Sequence, residues 1–283
     1  MGPNPSSERG GDISSTDLCA IILAAGYGKR MQPITNFIPK PLLPINEKNN
    51  LDLIIERMFE VGIKKVGVNV CHLKEMMIEH LEPYGDKIFI SEEGKILGTG
   101  GGIQRIAERL KADFYLIHNG DIYAEIDFNK VIEEHKKSNY PMTVVVRSGG
   151  DDLALIEGMV DFSGTGFTYC GIGVLSRELT LKLSRDLIPS VSDQKIRGLI
   201  YEGPWFDLGS PKGYLACINH TKGYIAPDAD LEGTKVEGGV YVGPGVRLRN
   251  GRIKDAAILA RTILRDGEII TNAIIAKEAF INC

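Results

Sequence analysis

Apolar residues fall along the first two thirds of this chain in two alternating textures. Short runs dense in aliphatic residues give way to stretches in which apolar positions recur every three to four residues. Residues 18–24 read as a buried strand and residues 52–61 as a helix, with Leu53, Ile54, Met58 and Val61 on one stripe. The same alternation continues through a strand at 65–70, a helix at 72–81, a strand at 87–91, a helix at 102–110 and a strand at 114–118. Further on come a helix at 131–136, strands at 142–146 and 167–175, and a helix at 213–219 with Pro211 at its first turn. Continuous apolar strands separated by helices predict a mostly parallel sheet covered on both faces. Ligands on such sheets bind beyond the carboxyl ends of the strands. The glycine turn after residue 24 and Asp121 after residue 118 both fall there.

Beyond residue 225 the texture changes. The run I-A-P-D-A-D, L-E-G-T-K-V, E-G-G-V-Y-V, G-P-G-V-R-L advances in units of six, with aliphatic residues at repeated positions and no helical stripe. It resembles the hexapeptide repeat of a short left-handed parallel β-helix; a small antiparallel β appendage is the alternative. So short a solenoid needs capping or packing against a neighbour, which makes a homo-oligomer the expectation. The expected organisation is a disordered N-terminal tail over 1–16, a catalytic domain over 17–222 and a β-helix over 223–283.

Composition narrows the function classes. The chain has 283 residues, 43% hydrophobic and 25% charged, with a net charge of -4. Neither a nucleic-acid partner nor a membrane span is expected from these values and from apolar runs this short. The polar, Pro-, Ser- and Gly-containing start reads as a loose tail and not as a signal peptide. Five scattered cysteines without a C-x-x-C pair suit reduced thiols in a cytoplasmic protein. Cys19 and Cys170 sit in apolar runs and read as core, and His118 as core or site wall. None of the five histidines shows metal-ligand spacing, and none lies beyond His220, so an acyltransferase role for the solenoid is not expected.

The densest chemistry lies in residues 23–41, L-A-A-G-Y-G-K-R-M-Q-P-I-T-N-F-I-P-K-P. A buried strand feeding a glycine turn, with Lys29, Arg30 and Lys40 behind it, is a way to grip a polyphosphate. Pro33, Pro39, Pro41 and Pro44 exclude a helix directly after the turn, and with it the dinucleotide fingerprint and the Walker loop. The bland alternative is a basic surface loop. Asp121 in Asn119-Gly120-Asp121 and Asp207 in Trp205-Phe206-Asp207-Leu208-Gly209 each follow an apolar stretch. Two such carboxylates, with phosphate oxygens and water, suit Mg²⁺, although an N-G-D triplet alone is more often a turn.

Gly26, Gly28, Arg30, Pro33, Thr35 and Pro39-Lys40-Pro41 fill every position of G-x-G-x-R-x-x-P-x-T followed by P-K-P. This stretch resembles the signature of the sugar-1-phosphate nucleotidyltransferases, the NDP-sugar pyrophosphorylases. The resemblance implies an α/β fold: a mostly parallel, Rossmann-like mixed sheet flanked by helices, here followed by the short β-helix. It implies that Leu23, Ala24, Ala25, Gly26, Gly28, Gly98, Thr99 and Gly120 bind the nucleotide, and that Glu93 reaches the base edge. A carboxylate there suits the N1–H and N2–H₂ donors of guanine, and also the N3–H of uracil or thymine. The resemblance makes Arg30, Lys40 and Asp121 catalytic, gives Asp121 and Asp207 to Mg²⁺, and places the sugar at Tyr169 and Gly171. Many relatives carry a Glu-Lys pair before the latter strand; this chain has Glu157-Gly158-Met159 and Asp161-Phe162 instead. The implied reaction takes GTP or UTP and a sugar 1-phosphate. Guanylyl transfer to mannose or heptose 1-phosphate leads, and uridylyl transfer to N-acetylmuramate or another hexose 1-phosphate is the alternative. A regulatory subunit that binds nucleotide sugar without turnover is the rival from another class.

Overall fold

The computed structural model describes residues 16–283, with Thr16 through its backbone only. The expected tail therefore lies outside the described residues, except that Thr16 already opens the first strand. The chain runs β1 (Thr16–Leu23), α1 (Asn50–Glu60), β2 (Val66–Val70), α2 (Lys74–Leu81), β3 (Ile88–Glu92), α3 (Gly98–Arg109) and β4 (Ala112–Asn119). It continues through β5 (Ile122–Ala124), α4 (Phe128–Ser138), β6 (Met142–Ile156), β7 (Met159–Asp161) and β8 (Phe167–Ser176). Then come α5 (Arg177–Thr180), α6 (Leu187–Val191), β9 (Ile196–Ile200), β10 (Trp205–Asp207) and α7 (Pro211–His220).

One eight-stranded sheet has the order β3-β2-β1-β4-β8-β6-β7-β9. Its site-bearing half, β3-β2-β1-β4, is parallel throughout, while β8 joins β4 and β6 in antiparallel fashion. Successive residues of β1 feed opposite faces. Ala20 and Ile22 join the cluster under α1, α2 and α4, whereas Cys19 and Ile21 join the cluster under α3, α5 and α6. Burial on both sides is why these strands read as unbroken apolar runs.

One difference from the sequence pattern matters for the site. α3 begins at Gly98, four residues before the expected start, so the glycine cluster is its first turn and not a lead-in. Gly100 packs so tightly that a β-carbon there would lie 2.1 Å from the Ser184 carbonyl oxygen. After the phosphate turn the chain makes short 3₁₀ turns at Lys29–Met31, Ile34–Asn36 and Lys40–Leu42, as its prolines allow, and no α-helix.

The C-terminal region holds β11 (Tyr224–Ile225), β12 (Lys235–Val242), β13 (Arg252–Ile258), β14 (Ile269–Thr271), β15 (Ala273–Ala276) and β16 (Ala279–Asn282). Strands β11 to β15 pair in parallel, which an antiparallel appendage would not do. Lys235 lies beside Arg252 and Val240 beside Ala256, so a coil is one or two residues shorter than three hexapeptides. Only the final pair, β15–β16, is antiparallel.

The packing that a short solenoid requires comes from within the chain. Tyr241, Ala257, Ile274, Ala276 and Ala279 share one cluster with Tyr214 and Cys217 of α7, and with Met31, Ile34 and Leu43 beyond the phosphate turn. Tyr214 also donates its hydroxyl to the Pro44 carbonyl at 2.7 Å. Ile274 is fully buried in this cluster. Ile274→Ala is expected to cost about 2–5 kcal/mol in urea unfolding, with residues 224–282 and the eight-stranded sheet still melting in one transition.

Candidate active site

The site forms where the parallel strands end. Gly120 N–H donates to the Leu23 carbonyl at 2.8 Å, tying the end of β4 to the end of β1. Leu23, Ala24, Ala25, Gly26, Lys40, Gly98, Thr99 and Asp121 line a cavity of about 220 Å³ there. Pro41 and Asn119, from the P-K-P and N-G-D motifs, and Asn69 and Ile96, which no motif singled out, complete its wall. A second cavity of about 270 Å³ shares Gly26 and Lys40 with the first and adds Tyr27, Gly28, Lys29, Arg30 and Gly209. Lys40 thus stands at the border of two connected spaces.

The phosphate turn is held from beneath. Gly28 adopts φ +66°, and a β-carbon there would lie 2.7 Å from Thr35 Cγ2, so glycine answers both the backbone and the space. Thr35, fully buried, donates its hydroxyl to the Gly28 carbonyl at 2.9 Å, and the Met31 N–H donates to the same oxygen. Arg30 is carried out toward solvent, 64% exposed at its side chain.

The two aspartates, 86 positions apart by number, are brought together by a two-stranded pair too short to show a period. In the β5–β10 ladder Asp207 stands opposite Ile122, and the Leu208 N–H donates to the Asp121 carbonyl at 2.9 Å. Lys40 Nζ donates to Asp121 Oδ2. Arg30 Nη1 donates to Asp207 Oδ2 at 2.9 Å, and the Gly209 N–H to Asp207 Oδ1 at 2.8 Å. A β-carbon at Gly209 would lie 2.8 Å from Asp207 Oδ1 and 3.0 Å from both Arg30 Nη2 and Asp121 Oδ2. Two carboxylates and a guanidinium therefore converge on one point.

This donor set fits Mg²⁺. Both ligands are hard carboxylate oxygens turned toward a common space, and substrate phosphate oxygens and water would fill the remaining octahedral positions. No group of three or more His, Cys, Asp or Glu side chains able to hold a metal occurs among the described residues. A divalent ion held here would take its remaining ligands from water or from phosphate oxygens.

Several expected site residues stand elsewhere. Glu93 does not line the cavity; it is only 2% exposed. Its Oε1 accepts from Asn69 Nδ2 at 2.8 Å and its Oε2 from the Leu97 N–H at 2.9 Å, while Asn69 Oδ1 accepts from the Ala24 N–H at 2.7 Å. Glu93 thus braces the cavity wall from behind. Glu93→Gln places an amide donor against one of two N–H donors, so it is expected to lose about 1.5–3 kcal/mol of stability. KM for nucleotide should rise more than kcat falls, as steady-state kinetics would read.

Tyr169 also stands away from the cleft. It lines a separate apolar cavity of about 310 Å³ with Met142, Leu153, Leu187 and Val191. β8 is bulged here: Val144 pairs with Gly173 and Val146 with Tyr169, so two steps on β6 oppose four on β8. Tyr169 packs on the sheet face that carries Leu175, while Cys170, Ile172 and Val174 pack on the other. Gly171, at φ +74°, remains near the cleft, where a β-carbon would lie 2.9 Å from Asn119 Nδ2.

His118, Cys19, Cys170 and Cys217 behave as core, while Cys71 is half-buried and Cys283 exposed. Burial holds the His118 imidazole down at about pKa 4, and its Nδ1 bonds the Asn119 carbonyl at 2.8 Å. Burial likewise pushes the Cys170 and Cys217 thiols up to about 12, and none of the five cysteines is in a disulfide.

With this geometry in view, the comparisons with known proteins are specific. Residues 19–168 match the family model described as Nucleotidyl transferase. The chain is 27% identical to "Probable mannose-1-phosphate guanylyltransferase 2" of Oryza sativa subsp. japonica, over 92% of its own length and 84% of that protein. It is 30% identical to D-glycero-alpha-D-manno-heptose 1-phosphate guanylyltransferase of Campylobacter jejuni, over 69% of this chain and 96% of that one. HddC from Yersinia pseudotuberculosis shares the fold, with a TM-score of 0.59 at 22% identity, covering 70% of this chain and 96% of the other.

Proposed function

Because this chain belongs to the nucleotidyl transferase family, we propose that its cleft joins a nucleoside triphosphate to a sugar 1-phosphate, releasing pyrophosphate and an NDP-sugar. The observation that carries this reading is the convergence of Arg30, Asp121 and Asp207 on the space beside Gly209, with Lys40 at the border of the two cavities. Polyphosphate in one space and sugar phosphate in the other would meet at that border.

A sugar-phosphate oxygen attacks the α-phosphorus in line. A new P–O bond forms there as the bond from the α-phosphorus to the α,β-bridging oxygen breaks, and pyrophosphate departs. The attacking phosphate is already ionised, so no general base is needed, and positioning with charge stabilisation supplies the acceleration. The Gly26–Gly28 turn and the Gly98–Thr99 helix start hold the nucleotide. Arg30 neutralises charge on the departing pyrophosphate and Lys40 does so on the attacking side. Asp121 and Asp207 would hold Mg²⁺, and the ion would supply neutralisation of phosphate charge in this cleft. Glu93 acts through Asn69 and Leu97, setting the wall against which the base lies. A non-catalytic binding subunit has no chemical need for all four of Arg30, Lys40, Asp121 and Asp207.

The mannose- and heptose-1-phosphate guanylyltransferases among the relatives favour GTP with one of those sugar phosphates. The 223–283 region is read as a left-handed β-helix whose exposed Ile225, Ile263, Ile269 and Phe280 serve a homo-oligomer. A cytoplasmic setting belongs to this reading, in keeping with five cysteines of which none is in a disulfide. Pyrophosphate release from each of four NTPs against mannose, heptose, glucose and N-acetylmuramate 1-phosphates, with Mg²⁺, tests the reading. GTP with mannose or heptose 1-phosphate should turn over fastest; a fastest rate with UTP would move the enzyme to the uridylyl side, and no turnover with any pair would refute the function.

A further inference from the structure

Asn50 carries no motif and stands behind the cleft, yet it binds both segments that meet at Asp121. It is the first residue of α1 and fully buried. Its Nδ2 donates to the Gly120 carbonyl at 2.9 Å and to the Ile122 carbonyl at 3.0 Å, the carbonyls of the two residues flanking Asp121. Its own N–H donates to the Leu43 carbonyl at 3.1 Å, just past the turn that carries Lys40. Helix capping does not explain these bonds, because Asn49 is the cap and accepts from the Asp52 N–H. Among the described residues the Asn50 Oδ1 has no hydrogen-bond partner. The amide thus contributes as a double donor.

We propose that Asn50 is a positioning residue for the metal carboxylate: it clamps the peptides on both sides of Asp121 and fixes that segment against the one bearing Lys40. The inference rests on the nucleotidyl-transfer reading above for the role of Asp121. Two further bonds leave Asp121 little freedom. Its carbonyl accepts from the Leu208 N–H, and its carboxylate accepts from Lys40. The Asn50 clamp adds the two bonds on the side facing away from the cleft. Groups that orient a metal ligand from behind are commonly worth 10–100-fold in metal affinity or activity.

Asn50→Leu tests this, since it keeps similar bulk, removes both donors and also removes the unpartnered oxygen. The Mg²⁺ concentration giving half-maximal rate is expected to rise at least about tenfold, with KM for both substrates at saturating Mg²⁺ nearly unchanged. Mn²⁺ affinity of the protein, from electron paramagnetic resonance of the free ion, should weaken in parallel. A residue that merely stabilises the fold would lower the melting temperature without moving either metal value. Asn50→Ser, smaller and with a single donor, is read in the same way should the leucine variant not fold. Unchanged Mg²⁺ and Mn²⁺ values in a folded variant overturn the role of Asn50. If the unsubstituted protein neither turns over nor binds Mn²⁺, the reading of the whole site fails instead.

Discussion

Arg30→Ala is expected to lower kcat by about a thousandfold while the protein remains folded. The guanidinium is mostly exposed and its bond to Asp207 faces solvent, so its loss should leave the melting temperature almost unchanged. The loss falls instead on the transition state, where charge builds on the departing pyrophosphate and no neighbouring group replaces a planar, always-charged donor. Arg30→Lys should recover only a small part of the rate, because a point charge does not reproduce the two-pronged donor. Rapid-quench measurement at saturating substrates separates this from weakened binding. A variant with near-normal kcat would remove Arg30 from the reaction.

Asp121→Asn should be as severe. It removes one of two carboxylates from the proposed metal position, together with the negative charge that faces Lys40. Several kcal/mol of charge stabilisation is expected to vanish, about three orders of magnitude in rate, and raising Mg²⁺ should restore little of it. The segment stays anchored by the Asn50 and Leu208 bonds, so circular dichroism and unfolding should show a folded protein. Substantial turnover by Asp121→Asn would place the metal elsewhere.

The legible parts of this molecule are those whose cause is local. β1, β2 and β4 are buried on both faces, so their residues form apolar runs that announce a covered parallel sheet. The phosphate turn is legible because glycine, proline and the cations each answer a local demand. The parallel stacking from 225 onward follows from a repeat written in the sequence. Where that region packs is another matter: Tyr241, Ala257 and Ile274 share a cluster with Met31, Ile34 and Tyr214, and no residue spacing records a contact across that distance.

The same division runs through the site. The carboxylates stand in readable motifs, but the device that joins them, the β5–β10 pair, has three residues per strand and no period. Asn50 was hidden because Asn49 beside it already explains a helix start. Tyr169 was given to the sugar by resemblance alone, and it lines a separate apolar cavity with Met142 and Leu153. Glu93 shows why a charge amid glycines is ambiguous: the glycines let α3 pack closely, and the carboxylate is consumed by Asn69 and the Leu97 N–H.

The most direct measurement of the central claim follows the phosphate oxygens. A sugar 1-phosphate labelled with ¹⁸O in its non-bridging oxygens is incubated with the protein, the preferred NTP and Mg²⁺, and both products are examined by mass spectrometry. Direct attack on the α-phosphorus requires all the label in the NDP-sugar, none in the pyrophosphate, and equal amounts of the two products. Label in pyrophosphate, or pyrophosphate released without an equivalent of NDP-sugar, would contradict it.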